Sequence, residues 1–370
     1  MKLLVDNQIF DNQIFGGISK YHSEIVKFLK TNCTVSQPNI YTKNIYLLKN
    51  SKYLYLLSSL RIDKINAINN FIIYLNKKII FILLKKSNFD IFIPTYYNTN
   101  FLNFIGKKPF VVTIHDMTHE LFPLYFKNEL SIISKKKLLI EKSKKIIAVS
   151  KNTKKDILDI YPHIPADKIQ VIYHGHSIES NFNKERPIFI STKKYILFVG
   201  NRESYKNFEW FVKSVSDWIL INNFNIICLG GKKFSFTEIN LLKDLKVENS
   251  IFQFFVKETE LSSYYYNAFA FIFPSEYEGF GIPILEAMAC HCPVILPKSS
   301  SFPEVASDAG IYFDLNSCTS LISCLNLLLS DLNFRKIIVD KGKLQVKKFS
   351  WENCSNETFK LYTELINENN

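Results

Sequence analysis

Short apolar runs alternate with segments of helical period, and they do so twice along the chain. In the first half the runs are LLV at 3–5, DIFIP at 90–94, PFVVTIHD at 109–116, KKIIAVS at 144–150 and PADKIQVIYHG at 165–175. In the second they are YILFVG at 195–200, NIICLGG at 225–231, SIFQFF at 250–255, AFIF at 270–273, CPVILP at 292–297 and GIYF at 310–313. Such near-continuous apolar runs predict strands buried on both faces, and the helical segments between them supply the crossovers of a parallel sheet. The expected class is α/β, with two Rossmann-like, doubly wound parallel-sheet domains. The alternation lapses after Gly175, where HSIESNFNKERPIFISTKK carries no period and contains Pro187. The expected division is a first domain at 1–180, a linker at 181–194 and a second domain at 195–349. A terminal helix at 350–370 is expected to return to the first domain.

Length and composition agree with this division and remove several alternatives. A chain of 370 residues exceeds one ordinary core, and domains of roughly 150–200 residues are the default. Seven scattered cysteines, with Cys290 and Cys292 the one close pair, lack metal-ligand spacing and read as free thiols of a reducing compartment. MKLLVDNQIF has no long apolar core or cleavage site, and no uncharged apolar run reaches the roughly 18 residues of a membrane span. The expected location is cytoplasmic, with peripheral attachment to the cytoplasmic face of the inner membrane as an extension. Residues 1–190 carry 28 Lys/Arg against 14 Asp/Glu, while the remainder carries 18 against 20. That asymmetry reflects either a lysine-rich proteome or an anionic surface as partner. Residues 41–86, rich in Ile, Leu, Tyr and Lys, read as amphipathic helices that pack on a domain or lie at an interface. No nucleic-acid motif accompanies the basic residues.

The chemistry concentrates in FPSEYEGFGIPILE at 273–286. A buried strand ends at Pro274, a loop with two glycines follows, and Pro283 opens an apolar helix. Glu278 lies on the loop and Glu286 one turn into the helix, at the carboxyl edge where α/β sheets bind ligands. In NRESYKNF, Arg202 and Lys206 follow another strand and suit a diphosphate. His115 and Asp116 end a strand of the first half. Gly16 and Gly17 open a helix after the tandem pentapeptide DNQIF–DNQIF, where backbone amides can approach a phosphate or sugar, or simply form a tight turn. Glu304 in SSSFPEV is either a first-turn helix acid or a further site carboxylate. Cations, glycine amides and carboxylates across a cleft suit a sugar joined to a nucleoside diphosphate. The chain contains no Asp-x-Asp, GxxxxGK[ST] or GxGxxG, so a metal–phosphate clamp, an ATPase and a dehydrogenase each lack their main feature.

FGGISKY at 15–21, VVTIHDMTHELFP at 111–123, FVGNRESYKNF at 198–208, and EGFGIPILE at 278–286 followed by SSSFPEV resemble the retaining GT-B glycosyltransferases of family 4. The resemblance covers nearly the whole chain and implies a role for each motif. His115, Glu278, Arg202 and Lys206 would be the catalytic set, with His115 near the transferred sugar. Gly16, Gly17, Arg202, Lys206, Glu278, Gly279, Phe280, Gly281 and Glu286 would bind the donor. Within that set Arg202 and Lys206 would hold the diphosphate, Glu278 a sugar hydroxyl and Glu286 the ribose. The implied reaction moves a hexose from a nucleotide sugar, GDP-mannose or a relative, to a growing lipid-linked glycan of the O-antigen type. It would proceed by metal-independent front-face transfer, without cofactor or nucleic-acid partner. A UDP-sugar transferase, a nucleotide-sugar epimerase and a non-catalytic partner in a glycan-assembly complex remain alternatives.

Overall fold

The computed structural model describes residues 1–50, 66–179, 181–187, 193–202 and 204–368. The chain forms two compact units, one of Met1–His174 with Trp351–Asn370 and the other of Gly175–Ser350. Part of the 41–86 stretch, residues 51–65, lies outside the described residues, as do 188–192 of the expected linker.

In the first unit β1 (Lys2–Val5) pairs in parallel with β2 (Thr34–Ser36) on one side and β3 (Ile91–Ile93) on the other. A second group aligns β4 (Val111–Ile114), β5 (Lys145–Ala148) and β6 (Ile169–Val171), again all parallel. A parallel bridge between Phe92 and Phe110 joins the groups, giving the order β2-β1-β3-β4-β5-β6. Alternate side chains serve opposite faces, as the strand period requires. Leu3, Val5, Ile91 and Ile93 pack with Tyr21, Ile25 and Leu29 of the helix Gly17–Asn32. Leu4, Phe92, Val112 and Ile146 pack with Ile80 and Leu84 of the helix Asn66–Lys86 and with Leu139 and Ile140 of the helix Ser131–Lys142. Ser150 caps the helix Lys151–Ile160 by accepting from the Thr153 amide at 2.9 Å.

The helix Trp351–Asn367 belongs to this unit and adds Cys354, Leu361, Tyr362 and Leu365 to the same core as Leu3 and Val5. β2 has no counterpart among the sequence-predicted strands. Its three residues, Thr34, Val35 and Ser36, form a sheet edge and carry no apolar run for a pattern to detect.

The second unit holds one six-stranded parallel sheet of β7 (Tyr195–Val199), β8 (Asn225–Leu229), β9 (Ile251–Phe254), β10 (Ala270–Ile272), β11 (Val294–Pro297) and β12 (Gly310–Phe313). Their order is β12-β11-β10-β7-β8-β9, so β7 pairs with β10 and the chain winds outward in both directions from that pair. Ile196, Phe198 and Ile226 pack with Phe211, Val215 and Ile219 of the helix Phe208–Ile221. Residues of the expected linker lie against this unit. The Phe182 ring packs 5.6 Å from those of Tyr266 and His291, and the Asn267 amide donates to the Lys184 and Glu185 carbonyls.

Leu365 is fully buried although it stands near the chain's end. Leu365→Ala is expected to destabilise the first unit by about 2–5 kcal/mol. Urea unfolding followed by a probe within that unit checks this, and a cost below 1 kcal/mol would show that the terminal helix is dispensable to the core.

Candidate functional site

In the second unit the loops after β7 and β10 leave neighbouring strands in opposite winding directions, and the crevice between such loops is where open α/β sheets take ligands. The two loops are tied together, with the Glu276 amide donating to the Tyr205 carbonyl at 2.8 Å. Lys206 closes the short 3₁₀ turn Ser204–Lys206, and its ammonium forms an ion pair with Glu278. The two side chains are 17% and 15% exposed, so the pair is partly buried yet within reach of a ligand.

The turn 299–301 acts as a clamp on the Glu278 backbone. Ser300 Oγ accepts from the Glu278 amide at 3.0 Å and donates to its carbonyl at 2.6 Å. Ser301 Oγ lies 2.9 Å from both the Glu278 and Phe280 carbonyls. Gly281 precedes the helix Ile282–Ala289 with φ of +97°, and a Cβ there would meet Ile284 Cδ1 at 2.9 Å. Both facts call for glycine. Gly279 and Phe280 are buried in the same loop, and Glu286 lies one turn down the helix, 8% exposed, accepting from the Tyr265 hydroxyl at 3.3 Å. Ser275 Oγ is buried at the foot of the loop, without a hydrogen-bond partner among the described residues. Glu304 is half-buried in the first turn of the short helix Phe302–Ala306, directly after the serine clamp.

Arg202, expected beside Lys206 at the diphosphate, is engaged within the protein. The sequence pairs it with Lys206 as an open diphosphate cation, but four of its five N–H donors are engaged within the protein. Nε donates to Glu238 Oε1 at 2.7 Å, Nη2 to the Lys232 carbonyl at 2.6 Å and to Glu238 Oε2 at 3.5 Å, and Nη1 to the Gly230 carbonyl at 3.4 Å. The guanidinium also lies over the Phe234 ring at 4.6 Å and the Phe208 ring at 5.6 Å. Only 8% exposed, it braces the loop after β7 against the loop after β8. Gly231, with φ of +69°, makes room for it, since a Cβ there would lie 3.0 Å from Nη1.

In the first unit Gly16 precedes and Gly17 opens the helix Gly17–Asn32. Gln13, from the second copy of the pentapeptide, lies over this turn and takes the Ser19 amide at 3.4 Å. His115 ends the strand region of β4. Its amide donates to the Tyr97 hydroxyl at 3.2 Å, and its Nε2 is buried without a hydrogen-bond partner among the described residues. His22, His174 and Tyr21 surround it, with ring centroids 5.7, 5.7 and 5.1 Å away. Burial, reinforced by neighbouring His22, pushes the His115 imidazole down to about 3, and burial with His174 does the same to His22. Both rings are therefore neutral near pH 7.

Sequence reasoning missed the group that holds this loop in place. Lys136 is fully buried and paired with Glu120 at 2.8 Å, with Asp116 at 3.9 Å and with the Asp116 carbonyl at 3.1 Å. Its ammonium lies 5.2 Å over the Tyr97 ring. Burial pushes the Asp116 carboxyl up, but Lys136 and the Thr118 amide outweigh it and hold the group below the usual carboxylate range. A run of three lysines at 135–137 suggests a solvated face. The signal against that was spacing, because Lys136 stands three and four residues before the buried Leu139 and Ile140.

The chain is similar to known proteins over most of its length. Residues 179–345 match the family model described as glycosyl transferases group 1, and residues 66–180 match the model described as glycosyltransferase family 4. The chain is 30% identical over 276 residues to an uncharacterized glycosyltransferase of Methanocaldococcus jannaschii, covering 70% of each protein. It is 28% identical over 268 residues to the O-antigen chain mannosyltransferase B of Escherichia coli, covering 69% of this chain and 70% of that one. A crystal structure of a glycosyltransferase from Rickettsia africae ESF-5 superposes with a TM-score of 0.67 at 20% identity, covering 100% and 99% of the two chains. Anabaena HepE in complex with UDP-glucose superposes at 0.71 and 15%, covering 98% and 100%.

Two outcomes follow for the first unit. Lys136→Met leaves Asp116 and Glu120 without their buried cation and is expected to cost about 3–5 kcal/mol in denaturant unfolding. A buried neutral histidine binds fewer protons in the folded state, so its stabilising contribution is complete above the unfolded value near 6.5 and falls as pH drops toward 3. Burial is the cause, and at pH 5 the loss is about 2 kcal/mol per histidine. Asp6 and Asp11, which burial raises to about 6 and about 7, act with the opposite sign over the same window. The test is therefore a difference: His22→Gln should flatten the fall in unfolding free energy between pH 7 and 5 relative to the parent, and an unchanged slope would contradict the assignment.

Proposed function

Because the chain belongs to the family 4 glycosyltransferases and has their GT-B fold, we propose that it transfers a hexose from a nucleoside-diphosphate sugar to a lipid-linked glycan. The observation that carries this reading is the Lys206–Glu278 pair at the β7–β10 switch point. It sets a cation and a carboxylate side by side on an edge built to receive a ligand. Lys206 neutralises the diphosphate, and Glu278 accepts hydrogen bonds from sugar hydroxyls. Glu286 takes the ribose hydroxyls, and the backbone around Gly279, Phe280 and Gly281 lines the sugar. Arg202 acts by holding the loop that carries Lys206. The edge of the first unit carries the glycine turn at Gly16–Gly17 and neutral His115.

The proposed mechanism is retaining and front-face, and it needs neither metal nor cofactor. The bond from the anomeric carbon to the diphosphate oxygen breaks first, and Lys206 stabilises the charge that grows on that oxygen. The acceptor hydroxyl then bonds to the anomeric carbon from the same face, and its proton passes to the departing phosphate. GDP-mannose is the proposed donor, in keeping with relatives named as O-antigen chain mannosyltransferases and as a serotype-specific mannosyltransferase.

Peripheral membrane attachment belongs to the same reading. No helix among the described residues is long and apolar enough to cross a membrane. The helix Asn66–Lys86 exposes Phe71, Tyr74 and Ile82 beside Lys78, Lys85 and Lys86, a composition suited to an anionic lipid surface.

Thermal-shift titration against GDP-, UDP-, dTDP- and ADP-sugars tests the donor, since a ligand at 100 times its Kd stabilises by about 2.7 kcal/mol. A GDP-sugar is expected to give the largest rise, and a larger rise with a UDP-sugar would replace the proposed donor. Lys206→Ala and Glu278→Ala should each lower turnover by roughly 100-fold or more with melting temperature nearly unchanged. Near-normal rates in both would sink the site assignment.

A further inference from the structure

Lys206 and Glu278 each have a partner to take in the reading above, and until a ligand arrives they hold each other. The Lys206 ammonium is paired with the Glu278 carboxylate, with the Tyr205 ring 4.9 Å and the Phe273 ring 5.4 Å away. Arg202 cannot take over from Lys206, because its guanidinium is committed to Glu238 and to the carbonyls of Gly230 and Lys232.

Backbone contacts impose this pairing on the two side chains. The Glu276 amide ties its loop to Tyr205, the residue before Lys206, at 2.8 Å. Ser299 Oγ donates to the Glu276 carbonyl at 3.3 Å, and Ser300 and Ser301 hold the amide and carbonyl of Glu278. Ser300 does so at a φ of +54°, a left-handed conformation that costs any residue with a Cβ. Strain of this kind persists where the surrounding structure over-determines a position, and it clusters at functional sites.

Two kinds of ligand meet the pair differently. An anion without hydroxyls draws on the Lys206 charge and leaves Glu278, 15% exposed, beside a second negative charge. Taking the counterion from a partly desolvated carboxylate is costly, and like charges at short range add to the cost. A ligand with hydroxyls next to its phosphates gives Glu278 hydrogen-bond donors in exchange for the ammonium. Both members are then partnered. Selectivity here comes from a penalty on the wrong ligand as well as a contact to the right one.

We infer that the Lys206–Glu278 pair is a selectivity latch, which lowers affinity for a bare diphosphate and yields to a diphosphate joined to a sugar. The identity of the ligand rests on the transferase reading above, and on that reading the latch favours the intact donor and the release of the spent nucleotide. The competition between Glu278 and an anion for Lys206 rests on the pair alone.

Isothermal titration calorimetry on the full chain tests this with inorganic pyrophosphate, with GDP against GDP-mannose, and with UDP against UDP-glucose. Glu278→Gln, an isosteric change, is expected to bind pyrophosphate and the nucleoside diphosphates about tenfold or more tightly than the parent. It should also lose most of the parent's preference for a nucleotide sugar over its nucleotide. In a Lys206→Met background the same substitution should gain no more than about twofold, because the latch acts through Lys206. Unchanged or weaker pyrophosphate binding in Glu278→Gln would overturn the latch. So would an equal gain in the Lys206→Met background, which is plain charge repulsion. Tighter pyrophosphate binding that vanishes without Lys206, in a protein that binds neither nucleotide sugar, would support the latch and overturn only the donor reading.

Discussion

Strand β7 pairs with β10 although β8 and β9 lie between them in the chain, and the candidate donor site depends on that pairing. Their loops leave the same edge and part, which opens a crevice that neither loop forms alone. The Glu276–Tyr205 backbone bond then fixes the loops to each other, and the Lys206–Glu278 pair crosses between them. A partly buried ion pair adds little to stability, because desolvation offsets most of the Coulomb attraction. Its consequence is placement, since a cation and an acceptor are held next to each other before any ligand arrives. Preorganisation of this kind avoids reorganising charges at the moment of reaction.

Supporting residues matter as much as those that face the ligand. Arg202 joins the loops after β7 and β8, and Ser300 and Ser301 hold the Glu278 backbone. In the first unit Lys136 secures the Asp116 loop from below while Tyr97 receives the His115 amide. The imidazoles there are crowded and dry, so they stay neutral.

Much of the fold was legible because its signals are local. Apolar runs located all the strands of the second unit. β2 was not legible, because a three-residue edge strand takes its structure from its partner and not from its own pattern. The donor-edge residues could be named from strand–loop–helix context, but Arg202 could not be told from Lys206 by type or position. What separates them is Glu238, 36 residues further along the chain, which captures one and leaves the other. In the sequence the repeat DNQIF leads into the glycine turn. Folded, its first copy buries Ile9 and Phe10 while its second exposes Ile14 and Phe15, so identical pentapeptides take different roles.

By itself, then, the sequence determined the α/β class, the positions of most strands, and which loops carry carboxylates, cations and glycines. These follow from periodicity and backbone preference within a few residues. Only the tertiary structure decided that Lys206 meets Glu278, that Arg202 is spent on Glu238 and that Lys136 lies in the core. Each of those outcomes depends on which distant segment comes alongside, and strand order sets that through long-range packing that no local pattern encodes.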